Sequence, residues 1–89
     1  MSDLVLHLKA EYWDQIAQRR KRYEYRAATP YWCRRIMGRR FDRIILYRGY
    51  PRRDDASRRL ERPWRGYTMD TVDLMDLGPT CVFVFRVNP

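Results

Sequence analysis

The apolar residues of this chain come in runs of only a few positions. Runs of that length suit short strands and single helix faces, and none is long enough to span a bilayer. At 89 residues the expectation is one domain, residues 1–89. A chain of this size buries only about 60–65% of the surface that its unfolded form exposes. Hydrophobic residues make up 45% and aromatics 15% of the chain, too much for a disordered tail despite 34% charged residues. The opening MSDLVLHLKA lacks the apolar core of a secretory signal, so a cytoplasmic setting is expected.

The periodicity changes along the chain. Leu4–Lys9 reads as a strand; Ala10–Arg19 then places Trp13, Ile16 and Ala17 on one helical face. Arg22–Arg26 alternates as a second strand, with Tyr23 and Tyr25 on one face and Arg22, Glu24 and Arg26 on the other. Thr29-Pro30 is a helix start, and Gly38 is placed to end that helix just after Met37. Asp42–Arg48 is the strongest strand, Gly49–Pro63 reads as a long polar connection, and Trp64–Met75 and Cys81–Val87 read as strands around a Gly78-Pro79 turn. The order β-α-β-α-β-loop-β-β predicts an α+β domain. Its mostly antiparallel sheet is expected to curl into a small barrel, with two helices covering the open end.

Charge supplies the functional direction. The chain carries a formal +8, and all its cations but Lys9 and Lys21 are arginine. From Arg19 to Arg65 there are seventeen cations against five acids, a net of +12, whereas Gly66–Pro89 has one cation and three acids, a net of −2. Arginine recognises phosphate bidentately and stacks on bases; codon bias in a GC-rich genome is the plain alternative source. A basic body with a mildly acidic end points to a polyanion partner, most simply nucleic acid. The pairs Arg34-Arg35, Arg39-Arg40, Arg52-Arg53 and Arg58-Arg59 form a diffuse surface that supplies affinity rather than specificity. Cys33, Cys81 and His7 stand apart from one another, without metal-ligand spacing. The cysteines read as reduced and buried, His7 as a core or strand-face residue, and Asp54-Asp55 as offsets to local positive charge. No metal and no cofactor are expected.

The segment Gln15–Arg26, QIAQRRKRYEYR, resembles the signature of the ASCH domain, a member of the PUA-like superfamily: a helix end, a turn, then Lys-x-x-Glu-x-Arg entering a strand. Lys21, Glu24 and Arg26 match it, while Arg19 stands where the family usually has the turn glycine. Thr29–Ile36, Phe41–Asp55 and Arg62–Thr68 are similar to one branch of small bacterial and phage ASCH proteins. The resemblance implies a PUA-like mixed, mostly antiparallel β-barrel flanked by two or so helices, with an RNA-binding cleft; some members are ribonucleases. Another branch deacetylates acetylated cytidine with a lysine, a threonine and a glutamate. Glu24 occupies that threonine's position, so the same nucleophilic step is not expected here.

Within that cleft Lys21 would hold or neutralise a phosphate, Glu24 would accept a proton, and Arg26 would clamp a phosphate. The alternation alone favours a surface charge ladder of Arg22, Glu24 and Arg26, and it is the resemblance that turns the reading toward function for Lys21 and Glu24. Arg48, at a strand end beside Gly49, is a phosphate-contact candidate. Tyr31, Tyr50, Trp64 and Tyr67 are interleaved with arginine, and rings so placed can stack unpaired bases; Trp13 and Trp32 read as core. The expected nucleic-acid-binding set is Lys21, Arg26, Arg48, Tyr50, Trp64 and Arg65, with Lys21 and Glu24 as catalytic candidates. The expected partner is RNA, single-stranded or structured, in preference to DNA, and the expected state is a monomer. A metal-independent ribonuclease or nucleoside hydrolase using Lys21 and Glu24 is the enzymatic alternative. A protein-interaction factor acting through the basic surface is a third.

Overall fold

The computed structural model describes residues 2–74 and 78–89. Its elements run β1 (Asp3–Leu8), α1 (Ala10–Ala17), β2 (Tyr23–Ala27), α2 (Pro30–Ile36), β3 (Arg43–Arg48), a short 3-10 turn (Ala56–Arg58), β4 (Arg59–Pro63), β5 (Thr68–Leu74) and β6 (Gly78–Arg86). The described residues form an α+β domain with two helices and six strands in two three-stranded sheets, ordered β1-β3-β4 and β2-β6-β5. β1 pairs with β3 in parallel; the other three pairings are antiparallel. The Met75 end of the expected fifth strand lies outside the described residues. No helix among the described residues is long and apolar enough to cross a membrane.

Period-2 alternation builds the core. Leu4, Leu6 and Leu8 of β1, Ile44 and Leu46 of β3, and Phe83 and Phe85 of β6 point to a common interior. Helix α1 adds Trp13 and Ile16 and helix α2 adds Ile36. The Trp13 indole donates to the Leu46 carbonyl oxygen at 2.9 Å, which ties α1 to the centre of β3. Thr29 caps α2 as its sequence suggests, its Oγ1 accepting from the Trp32 amide at 3.3 Å, with Pro30 in the first turn.

The expected polar connection Gly49–Pro63 conceals a strand, β4. Arg59, Glu61 and Pro63 disguise it, because it is an edge strand and its outward side chains carry charge. Across the ladder Arg43 joins both Asp3 and Glu61, and Arg59 also reaches Glu61. Asp55 belongs to the preceding turn: it accepts from the Ser57 amide and pairs with Arg58. The cysteines correct another expectation, since Cys33 is only half-buried and Cys81 is exposed; both are free.

The end of α1 explains the departure at Arg19. The Arg19 amide bonds the Ile16 carbonyl and the Arg20 amide bonds the Gln15 carbonyl, the paired contacts of a Schellman turn. Such a turn needs a left-handed residue after the helix, and Arg19 supplies it at φ 62°.

Candidate nucleic-acid interface

β1 and β3 run in parallel, so their C-terminal ends emerge side by side. There the Gly49 amide bonds the Leu8 carbonyl at 2.7 Å, and the Gly49 carbonyl accepts a hydrogen bond from Nδ1 of His7 at 2.8 Å. A carbonyl can only accept, so Nδ1 of His7 carries a proton in this contact. The chain turns at Gly49, φ 66°, and lays the Tyr50 ring over the imidazole at 4.2 Å, nearly parallel. Tyr47 stacks on His7 at 5.3 Å. Tyr50 remains 86% exposed despite this contact.

The N-terminal half of α2 forms a second aromatic group. Tyr31 and Trp32 meet edge to face at 5.1 Å. Arg35, one turn on, lies 5.3 Å from the Tyr31 ring centre and 5.6 Å from that of Trp32. Arg26, at the end of β2, reaches the same indole at 5.6 Å while its Nη2 donates to the His7 carbonyl at 2.8 Å. These residues, with Val5, line a cleft of about 450 Å³. Among the described residues no carboxylate lines it, and neither Arg26 nor Arg35 has an ion-pair partner. The cleft thus offers two cations, an imidazole and a set of ring faces, suited to an anionic ligand carrying a planar group.

Of the sequence-derived candidates, Arg26 and Tyr50 share this cleft. Arg48 is engaged elsewhere, its Nε and Nη2 donating to the two carboxylate oxygens of Asp14 at 3.0 and 3.4 Å. Trp64 is half-buried against Phe41 and Phe85, with ring centres 5.1 and 5.8 Å away. Arg65 is exposed beside Arg19, Arg62 and Arg86 in a different pocket. Lys21 and Glu24 do not form an ion pair. The Lys21 ammonium sits over the rings of Tyr12 and Tyr25, 5.4 and 5.2 Å from their centres. Glu24 is instead buried, 6% exposed, with Oε1 accepting from the Tyr25 amide at 2.8 Å and Oε2 without a partner. That burial overturns the surface charge ladder, because the Glu24 face of β2 is the one turned toward Phe85 and Phe83.

His7, Trp32 and Arg35 were not among the expected contacts. Trp32 corrects a core reading: it packs on the core with one part and lines the cleft with another. The available signal is the spacing Tyr31-Trp32…Arg35, which puts a cation on the same side of a helix as two rings. His7 had no such signal, since its neighbours come from the Gly49 turn and from β2, 42 and 19 positions away. No family model matches this chain, and no curated protein and no solved structure matches it either.

Proposed function

We propose that this chain is an RNA-binding module that holds an unpaired base and its neighbouring phosphate in the cleft between β1, β2 and α2. The observation that carries this reading is the arrangement of Arg26 and Arg35 on the Trp32 indole, across from the exposed His7–Tyr50 stack. Base–ring stacking contributes about 1–3 kcal/mol per base, and unpaired guanidinium groups supply the phosphate contacts. A cleft of about 450 Å³ falls in the ordinary range for small-molecule-sized ligands. The resemblance to ASCH domains points the same way, and with it we propose that the two sheets are halves of a PUA-like barrel acting in the cytoplasm.

The test is fluorescence anisotropy of a labelled single-stranded RNA over a series of salt concentrations, with matched DNA as comparator. Saturable binding with a log–log salt slope of about −0.7 per phosphate contacted is expected, and Arg35→Ala should reduce the slope by about one such unit. Absence of saturable binding at low salt, or wild-type affinity in both Arg35→Ala and Tyr50→Ala, overturns the reading.

A second reading, metal-independent RNA cleavage, is favoured by one observation: His7 lines the same cleft as Arg26 and Arg35, with its Nδ1 committed to the Gly49 carbonyl. A neutral imidazole can take the proton of a ribose 2′-hydroxyl as that oxygen bonds to the adjacent phosphorus; the P–O5′ bond then breaks, and the leaving 5′-oxygen takes a proton from water. Incubating end-labelled RNA without metal, with His7→Gln, Lys21→Ala and Glu24→Ala alongside wild type, decides it. Cleavage lost in His7→Gln supports this reading; intact RNA removes it and leaves the binding module.

A further inference from the structure

A second basic pocket lies toward the opposite end of the strands. Arg62, on β4, stands opposite Ile44, whereas His7 stands opposite Tyr47 three residues further along β3, about 10 Å away at ~3.3 Å per residue. The pocket has a volume of about 210 Å³ and is lined by Arg19, Arg62, Arg65 and Arg86 with Pro63 and the segment Val87–Pro89; among the described residues it shares none with the cleft and has no acidic side chain in its lining. At ~30 Å³ per water its volume is that of about seven water molecules, room for a tetrahedral oxyanion with part of its hydration.

Arg62 is held in place before any ligand arrives. Its Nε donates to the Val87 carbonyl at 3.0 Å and its Nη1 to the Glu61 carbonyl at 2.9 Å, which leaves both Nη2 protons free. Burial and the nearby Arg19 charge both lower its proton affinity, yet a guanidinium stays charged at neutral pH. Two cations are therefore kept close, one of them partly desolvated. Arg86 donates from Nε to the main-chain oxygen of Pro89 at 2.6 Å, and so is turned onto the main chain beside them.

Arg19 is the second, independent observation. It occupies the left-handed position of the Schellman turn, where glycine is free of strain and a Cβ is not. The strained backbone is kept at the residue whose side chain joins Arg62 and Arg65 at this pocket.

We propose that this pocket binds a phosphate group, gripped by Arg19, Arg62 and Arg65. The assignment does not rest on the cleft. It is tested by following the arginine Nε–H resonances while inorganic phosphate replaces chloride at constant ionic strength. Saturable shifts at Arg62 are expected, with affinity about tenfold weaker in Arg19→Gly and in Arg65→Gln, each of which removes one charged donor. The cleft variant Arg35→Ala should bind phosphate as wild type does, which separates this site from the RNA reading. Parallel titrations with 5′-phosphorylated and 5′-hydroxyl oligonucleotides identify the source. Preference for the first assigns a strand terminus, equal response a backbone diester, and response to inorganic phosphate alone a free anion. The proposal falls if neither phosphate nor either oligonucleotide saturates the Arg62 signal, or if both variants bind as tightly as wild type.

Discussion

Glu24 and Phe85 stand directly opposite one another in the β2–β6 ladder, so the carboxyl group enters the interior on the same face as the phenyl ring. The alternation of RYEYR is satisfied in the less obvious sense, with Tyr23 and Tyr25 exposed and the acid buried. β6 decides this. Phe85 must face the core, and a ladder that pairs it with Glu24 carries that residue inward too.

Replacing Glu24 by methionine should raise stability by about 1–3 kcal/mol, because a buried oxygen without a partner is removed and apolar volume is retained. Midpoints of urea unfolding measure this. A loss of stability on Glu24→Met would show that Oε2 does have a partner in solution.

Arg19→Gly should stabilise the fold by about 1 kcal/mol through relief of the left-handed backbone. Unchanged or lower stability would mean that the side chain of Arg19 contributes more to the folded state than its backbone geometry takes away.

Asn88 is 4% exposed and donates from Nδ2 to the Ile16 and Lys21 carbonyls at 2.9 and 2.7 Å. Asn88→Ala takes the side-chain donor from the Lys21 carbonyl, leaves the Ile16 carbonyl with the Arg19 amide alone, and frees the end of the chain from the α1 turn. A destabilisation of about 2–3 kcal/mol is expected in thermal or urea unfolding.

Tyr50→Ala should leave unfolding within about 0.5 kcal/mol of wild type, since the ring is almost wholly exposed. The same variant should weaken RNA binding by about 1–3 kcal/mol in the anisotropy measurement. Equal affinity would remove Tyr50 from the interface.

The hydrogen bond from Arg43 holds the Asp3 carboxyl below its ordinary value of 3.8. A carboxylate with a lowered folded-state pKa contributes stability that is present above 3.8 and lost as pH falls from there through the lowered value. Stability measured by urea midpoints should therefore decline on acidification below that point. Asp3→Asn should remove this part of the decline, and an identical acid limb in the variant would show that the pair is open in solution.

Local sequence was a good guide wherever one element decides its own geometry. The Thr29-Pro30 start of α2, the alternation of Leu4, Leu6 and Leu8, and the buried run around Phe83 and Phe85 were all readable, because caps and periodicities need only neighbours in the chain. β4 escaped because an edge strand turns charge toward solvent and so resembles a loop. Trp64 and Arg48 looked like ligand contacts from their Gly, Pro and Arg surroundings, but Phe41, Phe85 and Asp14, which occupy them, come from distant segments.

What the sequence determined by itself was a small, basic α+β domain with two short helices among its strands and arginine concentrated between residues 19 and 65. Tertiary structure alone decided which arginines stay unpaired. Ion pairing and stacking act over a few ångströms and take no account of separation along the chain. Asp14 thus engages Arg48, while Arg26 and Arg35 converge on one indole and Arg19 and Arg62 on one pocket.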